Sequence, residues 1–255
     1  MLLAIDVGNS NTVFGVYDDQ LLLAEWRLST DGDRTVDEFG VLLRNLFSIR
    51  GLDPSQIEGV IAASVVPRLD WKIADMTHRY FDAEAVFVTH ENVGIRILYK
   101  DPSEIGADRL VDAVAVIDRY SVPAIFVDLG TVTTFNAVNG EGAYQGGLVA
   151  PGVELSAAAL VERAAKLPRF DIRKPEVLIG QTTVESMQSG FFWGYVSLVD
   201  GILARMREEL GEDTSVIGTG GMARYIEGES AYVTTIDTDL TLRGLRLVAS
   251  RLGVA

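Results

Sequence analysis

The apolar positions of MLLAIDV run nearly unbroken to Val7, yield to Gly8-Asn9-Ser10-Asn11-Thr12, and resume at Val13 and Phe14. That pattern predicts strand, tight turn, strand; LLLAEWRL adds a third strand, so the chain opens on a three-stranded meander. TVDEFGVLLRNLF then switches to helical spacing at Phe39, Leu42, Leu43 and Leu46. GVIAASVV is a short β-branched run, expected as a buried strand, and Pro67 opens a helix over PRLDWKIADMTHRYF. AVFV and GIRILY are expected as further short strands. From Leu110 onward, Ala113, Val114 and Ile117 form a helical apolar stripe.

The opening pattern returns at FVDLGTVTTFNAV. Overlaid without gaps, Asp6 falls on Asp128, Gly8 on Gly130, Thr12 on Thr134 and Val16 on Val138. Two copies half a chain apart imply a duplicated domain, not a solenoid of short repeats. The glycine-rich YQGGLVAPG follows, then helical VELSAAALVERAAK, a long helix from Thr182 to about Leu210, a strand and turn at SVIGTGGMA, and a closing helix near Leu240 to Leu252. The sum is two α/β halves, each with a mixed sheet, and a cleft between them. The repeat divides the chain into residues 1–119 and 120–255.

Composition narrows the classes. A chain of 255 residues with 48% apolar content suits one large or two modest ordered domains. No apolar run has membrane-spanning length, and the approach to Asp6 is too short for a secretory signal. Cysteine is absent, which removes disulfides, thiolate metal sites and cysteine nucleophiles together. The net charge of −14, unbroken by any Lys or Arg run, repels nucleic acid and anionic membranes. The expectation is a cytoplasmic protein with neither partner.

The two turns carry the candidate chemistry. A strand–turn–strand tip of Gly with small hydroxyl and amide residues offers donors to phosphate without steric bulk. Asp6 and Asp128 would repel phosphate directly, so their natural task is to hold a cation or its water. Ordinary hairpin chemistry also favours Asp, Gly and Asn, but two chance hairpins need not share Asp, Gly and Thr in register. The phosphate loop G-x-x-x-x-G-K-[ST] is absent, and GTGG at 218–221 is weak evidence alone.

Paired D-x-G turns and a late GTGG resemble the ASKHA group of acetate and sugar kinases, actin and heat-shock ATPases. More narrowly, the chain resembles type III pantothenate kinase from end to end. DVGNSNT and DLGTVTT match that family's two phosphate motifs; GADR at 106–109, GGLVAPG at 146–152, TTVESMQSG at 182–190 and GTGG follow in order. Val132 stands where alanine is usual, and Asn136 where aspartate is frequent.

The resemblance implies duplicated ribonuclease-H-like (actin-like ATPase) domains with mixed five-stranded sheets and an interdomain cleft. It implies ATP-dependent phosphorylation of pantothenate's primary hydroxyl, the first step toward coenzyme A. Asp6 would act on the Mg2+-nucleotide side, with Val7, Gly8, Asn9, Ser10, Asn11, Thr12 and Val13 around the phosphates and Thr131 touching ATP. Asp128 would hold a monovalent cation, K+ or NH4+. Asp108 would be the catalytic base, and Tyr99, Gly106, Ala107, Asp108, Arg109 and Thr183 would meet pantothenate. Family members are dimers, so a homodimer is expected.

Residue chemistry gives part of this independently. Asp108 and Arg109 fall near the first turn of a helix. A carboxylate there caps the helix, stabilising by roughly 1 kcal/mol, and the dipole keeps it ionised but weakly basic. Arg109 opposes the dipole, which makes sense beside an anionic ligand whose carboxylate suits its planar fork. Thr183 otherwise reads as a helix-start residue. His78 and His90 lack the spacing of a metal pair, and the aromatic FFWGYV segment reads as packing or a dimer interface. The rival readings are another kinase or phosphatase of the superfamily, and an ATP-binding regulator, since members of this family have also been described as transcription accessory factors.

Overall fold

The expected meander forms from β1 (Leu2–Val7), β2 (Asn11–Asp18) and β3 (Leu21–Ser29), with β1 and β2 buried almost throughout and β3 more exposed. The computed structural model describes residues 1–164 and 166–254. Two compact units divide the chain between Arg119 and Tyr120.

In the first unit, α1 (Val36–Arg50) starts where Thr35 and Glu38 form a reciprocal capping box and stops at Gly51 in the left-handed region. β4 (Gly59–Ser64) leads through Pro67 into α2 (Pro67–Phe81), and β5 (Ala85–Phe87) closes a sheet ordered β3-β2-β1-β4-β5. β1, β2 and β3 pair antiparallel, whereas β4 and β5 run parallel to β1. Leu3, Ile5 and Phe14 of the sheet pack with Phe39, Leu43 and Ile73 of α1 and α2 in one apolar core.

GIRILY forms no strand; only an isolated bridge is made at Ile97. The chain turns first: Asn92 Nδ2 donates to Phe87 O, and Gly94 adopts φ +76°. The sheet-edge carbonyl is thereby taken by a side chain, and the apolar alternation beyond it has no partner strand.

α3 (Ala107–Arg119) completes the first unit's sequence-contiguous part. In the second unit, β6 (Ala124–Leu129), β7 (Val132–Val138) and β8 (Tyr144–Pro151) repeat the meander. α4 (Val153–Arg163) and the long α5 (Thr183–Leu210) follow, the latter opened by a second capping box between Thr182 and Glu185. β9 (Ser215–Thr219), the short α6 (Ala223–Ile226) and β10 (Thr235–Ile236) complete a sheet ordered β10-β9-β6-β7-β8. It has the first sheet's plan: an antiparallel meander with two parallel strands beside its first member. This is the mixed five-stranded α/β fold expected, made twice. Of FFWGYV, Phe192, Tyr195 and Val196 lie in the second unit's core.

The closing helix α7 (Leu240–Leu252) groups with the first unit, whereas a division at 120–255 would put it with the second. It crosses α3 closely: a Cβ on Gly244 would stand 2.0 Å from Val111 O, so only glycine admits this approach. Leu242 reaches the face of β2, within 3.0 Å of where a Gly15 Cβ would sit. Among the described residues no helix is long and apolar enough to cross a membrane.

Candidate functional site

The first turn is drawn tight by its own backbone. Gly8 N–H donates to Asn11 O at 3.0 Å, and a Cβ on Gly8 would stand 2.9 Å from that oxygen. Asn9, Ser10 and Asn11 are exposed, while Val7, Thr12 and Val13 are buried. Any ligand role for the two valines is therefore through the backbone. Asp6 is half-buried at the end of β1, paired with Val13 and Ala63. Thr30, just past β3, braces the turn; sequence reasoning missed it. Its N–H donates to Ser10 O at 3.0 Å, its Oγ1 donates to Gly8 O at 2.7 Å, and Thr12 Oγ1 lies 2.9 Å from the same hydroxyl. The available signal was a hydroxyl ending a meander strand opposite the turn.

GADR belongs to the same unit and meets the turn through the end of β4. Val65 N–H donates to Val7 O at 3.1 Å, and Val65 Cγ1 lies 3.2 Å from where a Gly106 Cβ would be. That Cβ would also stand 2.4 Å from Asp108 Oδ1, so the glycine lets the carboxyl fold back over the helix start. Ala107 is buried, and Asp108 and Arg109 are half-buried on the first turn of α3. Asp108 Oδ1 accepts from Arg109 N–H at 2.7 Å.

Burial pushes the Asp108 carboxyl above its usual range, against the opposing pull of the Arg109 backbone N–H and guanidinium. Desolvation thus works against the helix start, which the sequence had suggested would hold this carboxyl weakly basic. Tyr99 sits half-buried in the connection before the 3-10 turn Pro102–Glu104.

The second turn is one residue shorter. Val7 pairs with Thr12 across the first, leaving four residues between, but Leu129 pairs with Thr133 across the second, leaving three. Gly130 N–H accordingly reaches Val132 O rather than a residue one further on. The structural counterpart of Thr12 is Thr133, not Thr134 as the ungapped overlay had it. Both are fully buried, and the ladder irregularities at Val16/Tyr17 and Ala137/Val138 fall at equivalent places under the same shift.

Thr131 is exposed at the tip, and Asp128 is half-buried at the end of β6. GTGG packs directly on Asp128: a Cβ at Gly220, whose φ is +90°, would lie 2.2 Å from Asp128 Oδ1. Gly130 leaves 3.5 Å on another side. The carboxylate thus sits in a cradle that side chains would fill, compatible with a hard cation bound by oxygen. Among the described residues no three His, Asp or Glu side chains gather as a metal site, so backbone or ligand oxygens would supply the remaining donors.

Behind this turn Thr133 Oγ1 lies 2.7 Å from Tyr195 Oη. Burial lifts the Tyr195 phenol from 10.0 to about 12, with the Asp128 charge adding to the rise. Gly152 backs the tip, its N–H donating to Thr131 O at 3.2 Å. Pro151 and Tyr195 also border a cavity of about 810 Å³ between α4 and α5, and Thr183, exposed at the first position of α5, lies on its wall. Asp128 and Thr131 belong to the turn, whereas Thr183 lines the neighbouring cavity, which Pro151 and Tyr195 border as well. Gly220, Gly152 and Tyr195 are members that sequence reasoning undervalued or missed.

Comparison with known proteins follows the same lines. The family model for type III pantothenate kinase matches residues 2–205. A type III pantothenate kinase of Anaeromyxobacter sp. (strain Fw109-5) is 49% identical over 98% of this chain and 99% of its own. That of Koribacter versatilis (strain Ellin345) is 46% identical over 98% and 96%. Among solved structures, a Campylobacter jejuni protein described as a Baf family transcriptional activator has a TM-score of 0.63 at 16% identity, covering 98% of both chains. The ROK hexokinase of Thermus thermophilus has a TM-score of 0.50 at 14% identity, covering 97% of both. These distant likenesses speak to the fold, that of the actin-like ATPases; the full-length identity speaks to the family. The chain belongs to the type III pantothenate kinases.

Proposed function

We propose that this protein transfers the terminal phosphoryl group of ATP to the primary hydroxyl of pantothenate, the first step toward coenzyme A, and works in the cytoplasm. Supporting this most directly is one juxtaposition: Val65, at the end of β4, meets both the phosphate turn after β1 and Gly106, over which the Asp108 carboxyl folds. A phosphate grip and a base of raised pKa beside it are what alcohol phosphorylation requires.

The roles follow from chemistry. Gly8, Asn9, Ser10, Asn11 and Thr12, with the backbone of Val7 and Val13, take the nucleotide phosphates, and Thr131 contacts ATP. Asp6 faces the Mg2+ of the nucleotide. When bound, that ion offsets the charge of the phosphate oxygens. Asp128 holds the monovalent cation, K+ or NH4+, in its glycine cradle. Asp108 orients the pantothenate hydroxyl for in-line attack and accepts its proton. Its raised pKa suits the second task better than an ordinary carboxylate's would. Arg109 pairs with the pantothenate carboxylate, and Tyr99, Gly106, Ala107 and Thr183 contact the rest of the acceptor.

The deciding experiment is ADP release dependent on pantothenate and stimulated by K+, with Asp108→Asn beside it. The variant should lose kcat by about 10²- to 10⁴-fold, the usual worth of a positioned base. Only ionised Asp108 accepts a proton, so kcat should fall as pH drops through a value above about 4, the ordinary carboxylate pKa. Linkage separates this from helix capping. A carboxyl whose folded pKa is raised costs stability at neutral pH, so Asp108→Asn should melt no lower than wild type. Capping alone predicts a lower melting temperature and preserved turnover.

A second copy of the chain would cover Leu155 and Leu160 of α4, Leu178 and Ile179 in the segment before α5, and Val184 in its first turn, all exposed. Sedimentation velocity at micromolar concentration should give a dimer; a monomer there would refute that part.

A further inference from the structure

We propose that Thr30 is a positioning residue for the phosphate turn, and that Lys72 holds the loop which carries it. The inference rests on the reading of Gly8–Thr12 as the nucleotide grip. Thr30 makes three contacts with that turn, from one residue on a different strand end. Proton accounting fixes their directions. A threonine hydroxyl has one hydrogen; that of Thr30 goes to Gly8 O, so Thr12 must be the donor to Thr30 Oγ1. Thr12 is fully buried, and its hydroxyl would otherwise be stranded at a cost. Two carbonyls and one hydroxyl of the turn are thus pinned on its inner side. The turn's tip, where Asn9, Ser10 and Asn11 are exposed, is thereby held in one shape.

The loop after Thr30 is held from α2. Lys72 Nζ donates to Gly32 O and to Arg34 O, each at 2.8 Å. Within the loop, Asp33 N–H donates to Asp31 Oδ1 and Arg34 N–H to Asp31 O. A Cβ on Gly32 would stand 2.6 Å from Arg68 Cζ, so this glycine lets the loop lie under the guanidinium. An ammonium spent on two backbone carbonyls reaches no substrate. Its effect passes through the loop to Thr30, and through Thr30 to the turn.

Thr30→Val keeps the shape and removes the hydroxyl. Steady-state kinetics with MgATP and pantothenate should show the KM for ATP raised roughly tenfold or more, since the hydroxyl makes two of the three contacts and only the backbone one survives. The KM for pantothenate should stay within about twofold, and Thr30→Ser should restore the ATP KM because it returns the donor. Lys72→Met should raise the ATP KM in the same direction by less. A folded Thr30→Val enzyme with wild-type ATP KM would overturn the proposal. So would equal rises in both KM values, which mark general loosening. If Thr30→Val does not fold, Lys72→Met decides, and an unchanged ATP KM there overturns the proposal. Gly8→Val separates the two levels of inference. If it too leaves ATP binding intact, the nucleotide-grip reading fails; if it abolishes binding while Thr30→Val does nothing, only the positioning role fails.

Discussion

The two meander turns are copies of one device that have come to be held in different ways. The first is a four-residue turn pinned by hydrogen bonds from Thr30, a residue at the neighbouring strand's end in the same sheet. The second has three residues and adds close approach to its hydrogen bonds: Gly220 packs against the Asp128 carboxylate, Gly152 both crowds and donates to Thr131 O, and Tyr195 of α5 bonds Thr133 from behind. Both keep a fully buried threonine hydroxyl beside the turn, Thr12 in one and Thr133 in the other, bonded to a different kind of partner each time. The lesson concerns tolerance. A hydrogen-bonded turn loses one contact at a time when mutated; a turn seated between glycines fails sterically.

Gly220→Ala should therefore have a larger effect than Thr30→Val or Tyr195→Phe. Its Cβ would overlap Asp128 Oδ1, and φ of +90° is strained for any L side chain. The carboxylate must move, and a displacement of about 1 Å at such a site costs on the order of 100-fold in turnover. K+ activation should be lost with it, while the ATP KM changes less than in Thr30→Val. Turnover and K+ response of wild-type size would show that the second turn tolerates bulk and that the contrast between the turns is false.

How far the sequence revealed this contrast depends on what each level of pattern can encode. Strand–turn–strand, the helical runs that open near Thr35 and Thr182, and the Pro67 helix start are local and were legible. So was the duplication. The missing residue in the second turn was not, because an ungapped overlay keeps Asp6 on Asp128 only by sliding Thr12 onto Thr134. Pairing across the sheet was needed to find Thr133. The closing helix was readable as a helix, but a helical pattern does not name what packs on it; Gly244 against Val111 supplies that answer. GIRILY failed because alternation cannot foresee that Asn92 takes the edge carbonyl of Phe87. At the candidate site, residue types and order were legible, but the elevated Asp108 pKa arises from burial by surrounding elements.

The smallest predicted effect sharpens the comparison most finely. Tyr195→Phe removes the partner of a fully buried hydroxyl on Thr133, and should lower stability by about 1 kcal/mol near neutral pH. Its pH dependence carries the distinction between the turns. The Tyr195 phenol ionises at 10.0 in an unfolded reference and about 12 here, so above pH 10 the unfolded chain releases a proton that the folded chain keeps. Stability from this group is whole below pH 10 and is lost as pH rises toward about 12. Tyr17, also lifted to about 12 by burial, adds a similar alkaline loss in the first unit. Tyr195→Phe should therefore flatten the alkaline fall in melting temperature without abolishing it. Thr30→Val should leave that slope unchanged, since no ionisable group is removed from the first turn. Identical alkaline slopes for wild type and Tyr195→Phe would mean that the phenol does not brace the second turn in its neutral form, and the proposed difference in how the two turns are held would lose its clearest signature.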